Sequence, residues 1–295
     1  MHTFFYQMMQ LTTTGKSERK LSGDKMEFKK LIDLHTHTDN SPDGTHSTIY
    51  MCEQAEFAGI RGIAFTDHCE VDSYEKDHYD RSVMQSYFEV AKARSVFMGR
   101  LIVLEGIELG QPAYNPELAE KIISTYDYDI VLGSVHNLRD EQDFFFMDYE
   151  DRDVNELFDR YLDALIEMTQ WGGFDVLTHL TYPLRYIEGE HGYKIDLKRF
   201  SDKIDTILKN LAESGKALEI NTSGLRQKIG RTLPTLDYVK RFKEFGGEYI
   251  TVGSDSHRAE DIGKNLGDGM QTALDAGFKY ITLFQSRIPV PIPIE

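Results

Sequence analysis

Short aliphatic and β-branched runs alternate along this chain with longer stretches whose apolar residues recur every three or four positions. Leu31 to His35 predicts a first strand, and Thr48 to Ala58 a helix closed by Gly59. Gly62 to Thr66 predicts a buried second strand ending at Asp67 and His68, with the acidic, aromatic residues 70–80 as a loop above it. A helix from Ser82 to Met98 leads into a third strand, Leu101 to Glu108, and Asp129 to His136 forms the fourth. The clearest helix follows: Val154, Leu157, Phe158, Tyr161, Leu162, Leu165 and Ile166 make one stripe, and Gly172 with Gly173 ends it. Phe174 to His179 is the fifth strand, Leu197 to Leu211 another amphipathic helix, and Ala217 to Asn221 the sixth strand. Pro234 and Thr235 open a helix running to Phe245, Glu248 to Ser254 is the seventh strand, and a last helix reaches Ala276. Phe278 to Phe284 is expected as an eighth, terminal strand.

Strand then helix, repeated about seven times without a Pro/Gly/Ser-rich linker, predicts one parallel α/β domain over residues 26–295. Residues 11–30 are polar and lysine-rich, and residues 1–25 are expected outside that domain as a flexible N-terminal extension, with Met26 a candidate downstream start. A length of 295 residues suits a single α/β barrel, which commonly runs to about 250. Hydrophobic residues at 40% and aromatics at 12% are enough for a large core. The formal net charge of −16 argues against affinity for a nucleic-acid backbone, although cations gathered in one pocket can reverse the field locally. The 2 cysteines, Cys52 and Cys69, form no C-x-x-C pair and fit a reducing, cytoplasmic setting. No apolar run approaches the roughly 20 residues needed to cross a bilayer, so no membrane partner is expected. The pattern specifies no oligomeric state.

The chemistry collects at the strand ends. His35 and His37, two apart, share a side of the first strand. His68, His136, His179 and His257 end later strands, so six of the 10 histidines fall at such positions. Asp43, Asp67, Glu105, Glu108 and Asp255 stand in the same places. Donors drawn from nearly every strand favour a closed or nearly closed barrel, whose strands all present their C-terminal ends to one mouth. An open sheet would concentrate them at one switch point. Imidazole and carboxylate suit zinc, manganese or iron, and the set exceeds one ion's needs, so two to three divalent ions are expected. Closely spaced ions generate hydroxide from water and clamp the attacking and leaving oxygens of an in-line displacement, which is the chemistry of phosphoester hydrolysis.

Arg185 and Arg226 lie just past strands five and six, where each is either a phosphate binder, as guanidinium's bidentate geometry suits, or a solvated loop charge. Asn221 either orients a polar group of a substrate or caps the barrel end. Asp67 either ligates or orients a neighbouring ligand, and Cys69 reads as a core residue. His46 is either a proton donor or simply exposed. Tyr74, His78 and Tyr79 either line a pocket for an imidazole or pack an acidic surface loop. Ser134 and Ser254 read as strand-end residues, because metal-generated hydroxide needs no serine nucleophile.

Asp33-Leu-His-Thr-His-Thr38, Thr66-Asp-His68, Gly106-Ile-Glu108, Gly133-Ser-Val-His136, Thr178-His179 and Gly253-Ser-Asp-Ser-His257 resemble the successive motifs of the polymerase-and-histidinol-phosphatase (PHP) family. They occur in that family's order and cover residues 31 to about 260. The resemblance implies a distorted, TIM-like (β/α)7 barrel holding a trinuclear metal centre. Carried over by position, His35, His37, Glu108 and Asp255 would hold one ion, and Glu108 with His136 and His179 a second. Asp43, His68 and His257 would hold the third. Many members have histidine where this chain has Asp43, which softens the preference for zinc there. Glu108 matches the family's Gly-Ile-Glu, leaving Glu105 a structural group.

Glu219-Ile-Asn-Thr-Ser-Gly-Leu-Arg226 and His179-Leu-Thr-Tyr-Pro-Leu-Arg185 further resemble the histidinol-phosphate phosphatase branch. The expected activity is therefore phosphomonoester hydrolysis on a small phosphorylated metabolite, L-histidinol phosphate, in histidine biosynthesis. Arg185 and Arg226 would neutralise the phosphoryl oxygens, and His257 or Asp255 would pass a proton to the leaving alkoxide. The alternatives are another phosphoester, such as a nucleotide or phosphotyrosine, and a metal-dependent amidohydrolase. Asp255-x-His257 and Thr66-Asp-His68 favour the phosphoesterase. A non-catalytic module would have lost donors, and none of the nine is missing.

Overall fold

The computed structural model describes residues 28–29 and 31–294. The extension expected over residues 1–25 lies outside the described residues. Eight parallel strands build the sheet: β1 (Ile32–Thr36), β2 (Gly62–Phe65), β3 (His68–Glu70), β4 (Ile102–Gly110), β5 (Ile130–Ser134), β6 (Val176–Leu177), β7 (Ala217–Asn221) and β8 (Ile250–Gly253). Their order is β1-β2-β4-β5-β6-β7-β8, with β3 paired to the upper half of β4. The two edges meet where Thr36 bridges Ser256 and His37 N donates to Ser256 O at 2.8 Å. Ser254 N donates to Asp33 Oδ1 across the same seam at 2.8 Å. The sheet is thus nearly closed into a barrel, as donors on every strand require.

Among the described residues seven α-helices wrap it: α1 (Thr48–Phe57), α2 (Tyr79–Val96), α3 (Pro116–Thr125), α4 (Val154–Trp171), α5 (Ser201–Glu213), α6 (Leu236–Glu244) and α7 (Leu266–Asp275). In α4 the predicted stripe is buried except for half-buried Ile166. Asp153 caps its start by accepting from Asn155 N and Glu156 N, and Gly172 at φ 69° ends it. α3 was not predicted; its ten residues start at a proline and bury only Ala119, Ile122 and Ile123.

Three strand assignments change. The second strand does not stop at Asp67: after a break at Thr66 and Asp67 it resumes as β3, where a loop was expected. The register proves the continuity, since Gly62 opposes Ile102, Phe65 opposes Glu105 and His68 opposes Glu108, a constant offset. β4 runs on to Gly110, so Glu108 stands in a strand rather than at its end. The fifth strand shrinks to Val176 and Leu177.

The expected eighth strand forms as β9 (Tyr280–Gln285), but it pairs antiparallel with β10 (Ile288–Pro293), outside the barrel. Its two-residue turn, Ser286 and Arg287, has φ 47° and 65°, the left-handed geometry a tight hairpin needs. The turn docks at the bottom of the barrel. Ser286 N donates to Asp129 Oδ1 at 3.0 Å and Arg287 Nε to Asp175 Oδ2 at 2.9 Å, just ahead of β5 and β6. No helix among the described residues is long and apolar enough to cross a membrane.

Candidate metal centre

At the opposite mouth the other eight predicted donors gather around Glu108, which is fully buried. His35 Nε2 lies 3.2 Å and His37 Nε2 3.4 Å from Glu108 Oε2, and Asp255 Oδ1 is 3.8 and 3.6 Å from the same two nitrogens. On the other oxygen, His179 Nε2 is 2.8 Å and His136 Nε2 3.3 Å from Glu108 Oε1. At the open edge His257 Nε2 lies 3.1 Å from Asp43 Oδ2, and His68 Nε2 3.7 Å from Asp43 Oδ1. His68 also turns Nδ1 to Glu108 Oε2 at 3.1 Å, so the open edge runs on into the buried part of the cluster.

Hydrogen bonds fix which nitrogen of each ring faces inward. His35 Nδ1 donates to Glu219 Oε1 at 2.8 Å and His136 Nδ1 to Glu70 Oε1 at 2.9 Å. His37 Nδ1 meets Ser41 Oγ at 3.2 Å, and because that hydroxyl donates to Asp67 Oδ1, the imidazole must be its donor. His257 Nδ1 reaches the Asp255 carbonyl at 3.2 Å. Each ring is therefore protonated at Nδ1 and turns a lone pair on Nε2 into the cluster. The lone pairs of His35 and His37 crowd together at 3.0 Å, and Nε2 of His136 lies 3.4 Å from that of His179, as does Nε2 of His257 from that of His68. Paired acceptors at such distances repel unless a cation lies between them, so the donor set fits divalent metal. His35, Glu108 and His179, and separately His35, His37 and Asp255, each bring three donor atoms within 4.8 Å of one another.

Positive charge in the cluster, supplied by an ion or in its place by protonated imidazoles, sets the state of the carboxylates. Burial alone would raise the Glu108 carboxyl, but His35, His136 and His68 hold it well below the usual carboxylate range. Asp255 is likewise buried, yet His35, Arg185 and His257 keep it well below its ordinary value. Its backbone takes the left-handed φ of 55°, a conformation that is strained but tolerated by aspartate. Beside it Gly253 has no room for a side chain, because a Cβ would come within 2.4 Å of both His35 Cβ and Glu219 Oε1.

Arg185 is buried, donating to Asp255 Oδ2 at 2.9 Å and Ser223 Oγ at 2.8 Å, while its Nε has no partner among the described residues. Arg226 donates from Nη2 to the Ser254 carbonyl at 2.8 Å, and its buried Nη1 is likewise unpartnered. Asn221 turns inward: it donates to Glu219 Oε2 and Asp255 Oδ2 at 3.2 Å each and accepts from Ser223 Oγ at 2.6 Å. Its amide is thus committed to holding Asp255 and Glu219.

Other candidates settle into supporting places. Asp67 accepts from Thr38, Ser41 and Ser86 and so orients the loop behind His37. Cys69 is buried in the core, and Glu105 is buried beneath the cluster with its carboxyl pushed up to about 9 by burial. His46 Nδ1 accepts from Ala259 N at 3.2 Å. His78 is an exposed turn residue at φ 58°, and Tyr79 is in the core.

Two residues of the site went unread in the sequence, Glu70 and Glu219, which hold His136 and His35. Both carried a signal. Glu70 follows His68 by two on β3, and Glu219 precedes Asn221 by two on β7, so each shares a strand side with a candidate.

The comparisons with known proteins agree with this architecture. A protein of Clostridium acetobutylicum named probable histidinol-phosphatase is 28% identical over 260 residues, covering 88% of this chain and 98% of its own length. The histidinol-phosphatase of Lactococcus lactis is 26% identical, covering 86% and 94%. A crystal structure of the L. lactis histidinol phosphate phosphatase, complexed with zinc, L-histidinol and phosphate, superimposes with a TM-score of 0.74. It is 23% identical and covers 88% of this chain and 99% of that one, so the barrel fold is shared. The profile described as PHP domain matches residues 33–223. That stretch stops short of Asp255 and His257, which β8 returns to the same cluster. Spanning well over half the sequence, the match places this chain in the PHP domain family.

Proposed function

We propose that the protein is a metal-dependent phosphomonoesterase that hydrolyses L-histidinol phosphate to L-histidinol and phosphate. The observation that carries the reaction class is the ring orientation: His35, His37 and His136, tethered at Nδ1, present Nε2 around the buried Glu108 carboxylate, and His257, tethered the same way, presents Nε2 to Asp43. The names of the relatives, which cover nearly their whole length, support the substrate.

His35, His37, Glu108 and Asp255 would hold one divalent ion, Glu108, His136 and His179 a second, and Asp43, His68 and His257 a third. Bound there, two to three ions of zinc, manganese or iron supply Lewis-acid activation of water and neutralise phosphoryl charge. The chain's own residues do the rest. Arg185 Nε and Arg226 Nη1, buried without partners, are the donors left to take phosphoryl oxygens. Arg185 is locked by Asp255 and Ser223, so binding phosphate costs it little side-chain freedom. Asp255 Oδ2 is committed to Arg185 and Asn221, which would leave Oδ1 as the oxygen that faces the ion beside His35 and His37.

The test is phosphate release from L-histidinol phosphate and from generic esters, with metal content measured on the same preparation. The reading predicts preference for L-histidinol phosphate and at least two ions per chain. Equal turnover of all esters would sink the substrate, and fewer than two ions after reconstitution would sink the mechanism.

A further inference from the structure

Between β5 and α4 the chain folds back on the end of β5. Asn137 bridges Asp143 antiparallel, and Phe144 N donates to the His136 carbonyl at 3.0 Å. This return places the Asp143 carboxylate beside the mouth. Its Oδ1 accepts from Phe145 N at 2.6 Å and from Tyr182 Oη at 3.0 Å. Tyr182 in turn packs its ring 5.1 Å from that of His136 and 5.0 Å from that of His179. Asp143 is therefore fixed one tyrosine away from two imidazoles of the cluster.

The turn and the tyrosine account for Oδ1 only. Oδ2 accepts from no described residue, which sets Asp143 apart from the other carboxylates on this side. Glu70 is taken by His136 and Gln111, and Asp72 by Gln111 and Asn137. Glu188 is taken by Ile195 N and Arg231. Arg185, the nearby cation, is held by Asp255 and Ser223. A rigid, half-buried carboxylate with one open oxygen is an acceptor waiting for a cation. Next to it Phe145, 61% exposed, stands edge-on to Tyr186 with ring centroids 5.6 Å apart, an apolar wall at the same rim.

We infer that Asp143 Oδ2 binds the alkylammonium group of the leaving alcohol, so that the site selects amine-bearing phosphomonoesters. The inference rests on the phosphomonoesterase reading above. It gives the protein a specificity residue separate from the donors of the cluster and from the two arginines.

Kinetics on L-histidinol phosphate and its deamino analogue, 3-(imidazol-4-yl)propyl phosphate, test it through the ratio of the two kcat/KM values. A charge-assisted hydrogen bond at a half-buried site predicts a wild-type ratio of roughly 10 to 100. Asp143→Asn should bring the ratio to within about threefold of one, and Asp143→Glu, which keeps the charge, should recover part of it. A ratio that survives in Asp143→Asn overturns the assignment, as does one lost equally in both variants, which would mark a merely structural role. Binding of L-histidinol and of the deamino alcohol, by calorimetry on the metal-loaded protein, gives the same comparison without turnover. A wild-type preference for the amine in binding with no phosphate release would therefore refute the proposed reaction while supporting Asp143. Release from both esters with a ratio near one would do the reverse.

Discussion

Replacing Glu219 by glutamine keeps the shape of the side chain and changes one charge and one acceptor, which makes the consequence at His35 derivable. Glu219 is buried, 184 residues from His35 in sequence, and accepts three donors: His35 Nδ1 on Oε1 at 2.8 Å, and His179 N at 2.8 Å with Asn221 Nδ2 at 3.2 Å on Oε2. The glutamine amide can sit two ways. With its oxygen toward His179 N and Asn221 Nδ2, two donors stay satisfied and the NH2 faces His35. Nδ1 must then accept, which moves the ring proton to Nε2 and removes the lone pair from the cluster. With the amide reversed, His35 keeps its tautomer, but two buried donors confront an NH2, at a cost of about 1–3 kcal/mol for each donor left unmade. Either way the loaded state suffers. Loss of a hydrogen bond that orients a ligand typically weakens metal affinity roughly 10- to 100-fold, equivalent to about 1.4–2.7 kcal/mol. Metal content after dialysis against graded chelator, alongside phosphate release at limiting and excess metal, measures the effect. The activity of Glu219→Gln should recover partly in excess metal. Affinity within about threefold of wild type would refute the tautomer argument.

His136→Ala should lower metal content and rate together, whereas Arg226→Ala should raise KM for the phosphoester while leaving metal content intact; metal analysis with steady-state kinetics separates them. Arg287→Ala removes the hairpin's pairs with Asp175 and should cost about 1–3 kcal/mol in urea unfolding, with kcat unchanged because the turn sits at the far end of the barrel. Glu105 has its folded pKa raised to about 9 by burial, above the ordinary 4.5, so it contributes stability below pH 4.5 that is lost as pH rises toward 9. At pH 7 that loss is about 3 kcal/mol, and Glu105→Gln should flatten the pH dependence of unfolding between pH 5 and about 8. An unchanged slope would contradict the neutral form.

Much of the donor set was legible because its members are chemically conspicuous where they stand. A histidine ending an aliphatic run has few structural reasons to be there, and His35, His136 and His179 advertise themselves one strand at a time. Glu108 was placed by motif, yet its centrality comes from something the pattern concealed. β4 continues to Gly110, and β3 resumes in register with it, so Glu108 stands between His68 and Leu132 in the middle of β5 instead of closing a strand. The interruption at Thr66 and Asp67 hid that continuity, since a two-residue break in an apolar run reads as a strand's end. β10 was hidden for a related reason. Its alternating prolines at 289, 291 and 293 remove backbone donors and suit only an edge, so the run carries no strand signal.

The supporting carboxylates differ in kind. Glu70 and Glu219 are the residue type that most often lies on a solvated surface, and what makes them functional is a partner far away in sequence. Their one local trace is the period of two that sets each on the same side as His68 or Asn221. That trace is informative only once the strands are known to be strands, which for β3 the sequence did not reveal. Ligands can thus be found from composition and position, but the groups that orient them depend on register. Asp143 is a stronger case still: its place at the mouth follows from a bridge to Asn137 and a hydroxyl on Tyr182, neither of which has any signature in the residues around it. In a barrel of this kind the catalytic class is written in the strand ends. Asp143 belongs instead to a loop that folds back over those ends, and a residue placed that way is found only with the fold in hand.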